Sequence, residues 1–337
     1  MSSKLHDRLH IDLGSIDDAL LNVILSDADL PRPSVVFDSV TNLIRAGGKR
    51  LRPMMVLVGS RFGEPGTPRR SDRVMRTAAM LEYLHMASLV HDDIIDGADR
   101  RRGVPTVHKT TDVRTAILIA NYMMVRAVEW AVPSASGDSP EDTEDSAEHA
   151  CRCAELAAMV TELCRGEYSQ LHHRFDLDMT LEQYLDKTRS KTALLMAQCL
   201  KAGADAAGAP REIGFALHDF GEAIGMAFQI RDDLLDFTQQ AGTIGKPVGA
   251  DLRNGIVTLP VLYAMEDPAL NERIRGLHAD ASTDEFDAVI AAIAASDALP
   301  RAEELSQAYV RQAERIADRL ADHPAQPSLA LLAEYFA

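Results

Sequence analysis

The chain has 337 residues, 46% of them hydrophobic, which allows a sizeable core and excludes a disordered chain. Aromatics make up only 5%, with a single Trp among much Ala, Leu and Met, a balance that favours helices over a β-sandwich. A formal charge of −16 repels nucleic acid and anionic membrane surfaces, so a polyanionic partner has to be held by local basic groups or bridging cations.

The N-terminal stretch "MSSKLHDRLHIDLG" lacks the apolar core of a signal peptide, and no apolar run is long enough to cross a bilayer, so a soluble, cytoplasmic protein is expected. "RVMRTAAMLEYLHMASLVHDD", residues 73–93, keeps apolar residues at three- and four-residue spacing without Pro or Gly and predicts a long helix. Similar patterns predict helices over about 112–132, 148–174, 180–203, 211–238, 255–266 and 303–320. No alternating strand pattern competes with them, which makes the fold all-α. "PSASGDSPEDTEDSAEH", residues 133–149, is polar and acidic and reads as an exposed loop inside a single domain spanning 1–337, since helical runs of the same character continue on both sides. Cys151, Cys153, Cys164 and Cys199 show no C-x-x-C spacing and no disulfide framework; buried thiols are expected.

"LVHDDIIDGADRRRG", residues 89–103, sets three carboxylates in an apolar run and follows them with three arginines. On a helix Asp92, Asp93 and Asp96 stand three and four residues apart, so all three can lie toward one face. Like charges at that spacing repel, and burying them unpaired among Leu89, Val90, Ile94 and Ile95 is costly, so a cation is expected. An EF-hand reading fails, because Ile94 and Gly103 occupy positions that need oxygen ligands. Magnesium, which takes one or two carboxylates together with water and phosphate oxygens, suits the pattern. The pattern recurs in "FQIRDDLLDF" with Asp232, Asp233 and Asp236, and the recurrence in a matched apolar setting carries more weight than either copy alone. "AGGKRLRP", residues 46–53, supplies Lys49, Arg50 and Arg52 beside two glycines, and "RRRG", residues 100–103, adds a second basic cluster. Two magnesium-type clusters with two arginine clusters imply phosphate recognition. Neither a P-loop nor G-x-G-x-x-G occurs, so a nucleotide fold is not supported.

In these motifs, taken with "LHMASLVHDDIIDGADRRRGVPTVH", "GEYSQ", "KTALL" and "GKPVGADLRNGIVTLP" in that order, the chain resembles the trans-type polyprenyl diphosphate synthases from about residue 40 to residue 265. The resemblance implies a bundle of ten or more helices around a deep central cavity, with the two aspartate motifs on facing helices, usually as a homodimer. It implies that Asp92 and Asp96, supported by Asp93, hold two Mg²⁺ on an allylic diphosphate, and that Asp232, with Asp236 through water, holds a third; Asp233 completes the second motif. Arg101, Lys191 and Lys246 are the implied protein contacts to that diphosphate, and Lys49, Arg52, His85 and Arg102 the implied pocket for isopentenyl diphosphate. Thr192 and Gln229 steady the surroundings of the reacting carbons, while His91 and His108 are read as structural. The implied reaction is ionisation of the allylic diphosphate, attack by isopentenyl diphosphate and loss of a proton, lengthening the chain by one isoprene unit.

Product length follows from cavity depth, and residues one turn apart before Asp92 are successive floors. In the family an aromatic residue five positions before the first aspartate gives short products; here Ala87 stands there, beside Ser88, with Leu84 and Met80 deeper, which points to a long-chain product of roughly thirty carbons or more. The chain departs from the family at Asp112, Ala120 and Asn121, and at its last residues, "LAEYFA", which lack the basic tail common there. The alternatives are a short-chain synthase, a subunit that needs a small partner, a metal-dependent phosphohydrolase and a terpene cyclase. A cyclase usually replaces the second aspartate motif and lines its cavity with aromatics, and neither feature is present.

Overall fold

Helix starts are set by capping side chains. Asp12, Ser34, Thr67, Thr180, Asp267 and Ser282 each stand just before a helix and turn a side-chain oxygen onto backbone amides of its first turn. Thr180 and Ser282 complete capping boxes with Gln183 and Glu285. The computed structural model describes residues 4–64, 66–131, 146–238, 248–277 and 281–337. They form α1 (Leu5–Arg8), α2 (Leu13–Ser26), α3 (Val35–Arg45), α4 (Leu51–Ser60) and α5 (Pro68–Ile95). A two-residue ribbon, β1 (Arg100–Arg101) with β2 (Val104–Pro105), separates these from α6 (Val107–Thr110), α7 (Val113–Ala131) and α8 (Ser146–His172). Next come α9 (Leu181–Thr188), a π-helical turn at Arg189–Ala193, α10 (Leu194–Ala206) and α11 (Arg211–Thr238). The remainder is α12 (Ala250–Arg253), α13 (Leu259–Ala264), α14 (Pro268–Arg275), α15 (Thr283–Ala294), α16 (Ala298–Arg319) and α17 (Gln326–Phe336).

The chain divides into two compact units, the first Met1–Ala158 with Cys199–Leu217, the second Met159–Gln198 with His218–Ala337. In the first, α5 packs against α2, α4 and α7, and α2 and α7 each pack on α3. Ile16, Leu20, Val40, Met55, Tyr83, Leu84, Ile119 and Met123 are buried there, each large aliphatic side chain contributing about 1.5–3 kcal/mol through burial. In the second, α16 packs on α13, α15 and α17, and Tyr184, Ile230, Leu234, Leu259, Ile290 and Ile293 share one apolar core.

The all-α expectation holds, with more than ten helices among the described residues. Three details differ from the periodicity. The run at 180–203 contains the π turn. Around 255–266 only Leu259–Ala264 is helical, because Gly255 sits at φ +75 in a turn. Residues 146–149 of the acidic stretch begin α8, and 133–145 lie outside the described residues. Of the cysteines, Cys199 is buried as expected, whereas Cys164 is exposed. Among the described residues no helix is long and apolar enough to cross a membrane.

Candidate active site

In the first unit α5 delivers the first aspartate motif at its C-terminal end, with Asp96 as the C-cap residue. The three carboxylates differ in burial and in partners. Asp92 is half-buried, and its Oδ1 is buried without a hydrogen-bond partner. Asp93 is 2% exposed and accepts from Arg101 Nε at 2.7 Å. Burial pushes the Asp93 carboxyl above its ordinary value, with the Arg101 guanidinium opposing. Asp96 is exposed.

The chain then turns back through the β1–β2 ribbon, whose loop residues Arg102 and Gly103 both have left-handed backbone, φ +52 and +82, as a tight two-residue loop requires. Thr106 Oγ1 donates to Ala98 O at 2.8 Å and ties the ribbon to the end of the motif. The Arg102 guanidinium donates to Gly47 O, and a Cβ on Gly48 would stand 2.2 Å from Arg102 Nη1. Gly48 of "GGKRLRP" therefore admits the arginine of "RRRG", and the two basic motifs form one cluster.

Arg50, at φ +50, is the residue before α4 and is buried. Its Nε donates to Asp17 Oδ1 at 2.8 Å, its Nη1 to Glu82 Oε1 at 3.1 Å and its Nη2 to Ile44 O at 2.7 Å, so it serves packing and not phosphate recognition. Lys49 is exposed, and Arg52 is half-buried with its Nε buried and unpartnered. Burial pulls the Arg52 guanidinium below its ordinary value, and the Glu82 carboxylate opposes. Desolvation, followed by the charges of Arg52, Arg102, Arg101 and Arg50, holds the His85 imidazole far below its ordinary value and hence neutral.

Leu84, Ala87 and Met80 are buried along the same helix, and Ser88 spends its hydroxyl on His85 O at 2.8 Å. The departures have local duties. Asp112 caps α7 through the amides of Arg114 and Thr115, buried Ala120 packs, and the Asn121 side chain hydrogen-bonds His91 beside Asp92. His108 keeps its Nδ1 buried and without a hydrogen-bond partner.

In the second unit the π turn carries Lys191 and Thr192. Such a turn inserts an extra residue into the ladder and re-aims the side chains on it. Two glycines admit its backbone: a Cβ on Gly166 of "GEYSQ" would lie 2.6 Å from Lys191 N, and one on Gly225 would lie 2.5 Å from Ala193 Cα. Lys191 Nζ donates to Glu167 at 2.8 Å. Thr192 Oγ1 donates to Gln229 Oε1 at 2.8 Å, Gln229 Nε2 to Asp233 Oδ1 at 3.0 Å, and the Tyr184 hydroxyl to Asp233 Oδ2 at 2.7 Å. Asp233 is buried, and burial pushes its carboxyl up to about 6, against the nearby Lys187 ammonium. Lys187 is itself buried and donates to Val257 O at 3.3 Å. Asp236 accepts from the amides of Ala250 and Asp251, both at 3.1 Å, a different duty from the implied contact through water. Asp232 is exposed, and Lys246 lies outside the described residues.

Sequence reasoning missed Glu82, Asp17, Tyr184 and Lys187. Glu82 was within reach, since an acid inside an apolar helical run needs a cation as much as the aspartates do.

Among the described residues no three His, Cys, Asp or Glu side chains converge to cage a metal alone. The unpartnered Asp92 Oδ1 with exposed Asp96 instead offers hard oxygen donors and an incomplete shell, which fits Mg²⁺ that keeps water or phosphate oxygens.

The polyprenyl synthetase family matches residues 33–294. The chain is 38% identical over 324 residues to heptaprenyl diphosphate synthase component 2 of Geobacillus stearothermophilus, covering 96% of this chain and 94% of that protein. The crystal structure of a heptaprenyl diphosphate synthase from Staphylococcus aureus aligns with a TM-score of 0.84 at 33% identity over 96% of each chain. That of a decaprenyl diphosphate synthase from Rhodobacter capsulatus aligns at 0.83 and 30% identity, over 98% of this chain and 97% of that one. With the helical fold, the paired aspartate motifs and a match over most of its length, the chain belongs to the polyprenyl synthetase family.

Proposed function

We propose that the chain is a trans-prenyltransferase that condenses an allylic prenyl diphosphate with isopentenyl diphosphate, head to tail, to a long-chain product of roughly thirty carbons or more. The observation that carries this reading is a pair of buried, unsatisfied polar atoms in one unit: Asp92 Oδ1, a donor for a cation, and Arg52 Nε, a donor for an anion. A matched pair of orphans of opposite sign is what a metal–diphosphate complex satisfies. We read the chain as one synthase domain, supported by a family match that runs through both units.

When bound by Asp92, Asp96 and Asp232, with Asp236 assisting, about three Mg²⁺ supply neutralisation of the charge that develops on the departing diphosphate. Arg101, Lys191 and Lys246 add fixed positive charge to the same group. Arg101 comes to that duty already oriented by Asp93. Lys49, Arg52 and Arg102 hold the diphosphate of isopentenyl diphosphate, and neutral His85 offers it a hydrogen bond without adding charge. Thr192 and Gln229, fixed by the bond to Asp233, place a polar but uncharged pair near the carbocation, which shields it without trapping it. The double bond of isopentenyl diphosphate attacks the cation, and the released pyrophosphate takes the proton, so no side-chain base is needed.

Small Ala87 supports a long product, as do relatives named heptaprenyl and decaprenyl diphosphate synthases. The short-chain alternative has less support. The relative's designation as component 2 favours assembly with a second, non-identical subunit over the homodimer alone.

Mass spectrometry of products from purified protein given isopentenyl diphosphate, a farnesyl or geranylgeranyl primer and Mg²⁺ tests the reading. A ladder ending at one long prenyl diphosphate, absent in Asp92→Ala, is expected. Release of phosphate without elongation would overturn it in favour of a phosphohydrolase. Elongation only after a partner from the native cell is added would establish the two-component form.

A further inference from the structure

Glu82 is the one acid between Arg76 and Asp92 on α5, three residues before His85. It is 2% exposed, and its Oε1 accepts from Arg50 Nη1 at 3.1 Å. Arg50 in turn binds Asp17 on α2 and the carbonyl of Ile44 near the end of α3. Its left-handed backbone immediately precedes α4, with Lys49 on one side and Arg52 two residues on the other. Whatever fixes the Arg50 side chain therefore fixes the setting of the head of α4, from which Lys49 and Arg52 project.

The same carboxylate stabilises the charges of Arg52 and Arg102 without a hydrogen bond to Arg52 Nε, which stays unsatisfied. A buried anion that hydrogen-bonded Arg52 would compete with an incoming anion. One that bonds only Arg50 keeps the cluster charged and leaves Arg52 free to bind.

We propose that Glu82 is a positioning residue for the isopentenyl diphosphate pocket, acting through Arg50 to set Lys49 and Arg52. The inference rests on the reading of Lys49, Arg52, His85 and Arg102 as that pocket. A residue of this kind governs one substrate and not the other, because the Arg50 network lies on the basic cluster and makes no contact with Asp92, Asp93 or Asp96 among the hydrogen bonds of Arg50 and Glu82.

The test is steady-state kinetics of Glu82→Gln, which keeps the shape of the side chain and removes its charge. The KM for isopentenyl diphosphate should rise about tenfold, with kcat at saturation and the allylic KM within about twofold of wild type. If Glu82→Gln does not fold, Asp17→Asn, at the half-exposed end of the same network, takes its place with a rise of about threefold. An unchanged KM for isopentenyl diphosphate overturns the inference, as does a loss of kcat with both KM values unchanged, the mark of a smaller folded fraction. Arg52→Lys separates the two levels of the argument. If it leaves that KM unchanged, the pocket reading itself fails; if it raises the KM while the network variants do not, only the role of Glu82 falls.

Discussion

Asp92 and Asp93 are chain neighbours of the same type with opposite duties. A rotation of about 100° per residue carries one carboxylate to the orphaned position and turns the next onto Arg101. The same rotation makes Ala87 and Leu84 successive positions on one helix face. Ala87 is fully buried, so a phenyl ring there has to push into space its methyl group leaves to the product or to neighbouring side chains. Ala87→Phe should shorten the main product by at least one isoprene unit and cost about 1–3 kcal/mol of stability through overpacking. Product chain length by mass spectrometry and thermal melting check the two effects, and an unshortened product removes Ala87 from the account of the floor. The motif letters disclosed that carboxylates and arginines work together. They did not disclose that Asp93 and Arg101 satisfy each other, because that contact depends on a ribbon two residues wide whose loop is formed by Arg102 and Gly103.

At the scale of elements, the stretch 180–203 reads as one helix because apolar spacing is insensitive to a single extra residue in the backbone ladder. The π turn became visible only in the backbone, yet two traces of it stand in the sequence as Gly166 and Gly225, each required by the close approach of another backbone to that turn. Gly166→Ala puts a methyl group within about 3 Å of the Lys191 backbone, which must shift, and Lys191 and Thr192 shift with it. The variant should lose about 1–3 kcal/mol of stability and lower kcat at saturating substrates by at least tenfold, since orientation of charged groups governs the barrier more than affinity. An unchanged kcat in folded protein would show that the exact setting of the turn is immaterial. The long amphipathic helices were legible from spacing alone. The short α12 and α14 were not, because one or two turns beside Gly or Pro give too few repeats for a period to appear.

Over the whole molecule, the charge of −16 is compatible with binding two diphosphates only because cations are concentrated locally and some carboxylates are already satisfied. Asp93 has Arg101, Asp233 has Tyr184 and Gln229, and Asp236 has two backbone amides. These three can stabilise the fold without metal, which leaves Asp92, with its orphaned Oδ1, and exposed Asp96 as the carboxylates of the first motif whose charge calls for one. Chelation should therefore abolish turnover and leave the fold: the melting temperature after treatment with EDTA should stay within about 2 °C of the untreated protein. Added Mg²⁺ with pyrophosphate at about a hundred times its dissociation constant should raise it by roughly 4 °C, the equivalent of about 2.7 kcal/mol for a ligand that binds only the folded chain. Asp92→Ala should show the first melting behaviour and much less of the second. A collapse of the fold on chelation would mean that the metal is structural, and that the pairings of Asp93, Asp233 and Asp236 do not suffice to hold the aspartate motifs in place.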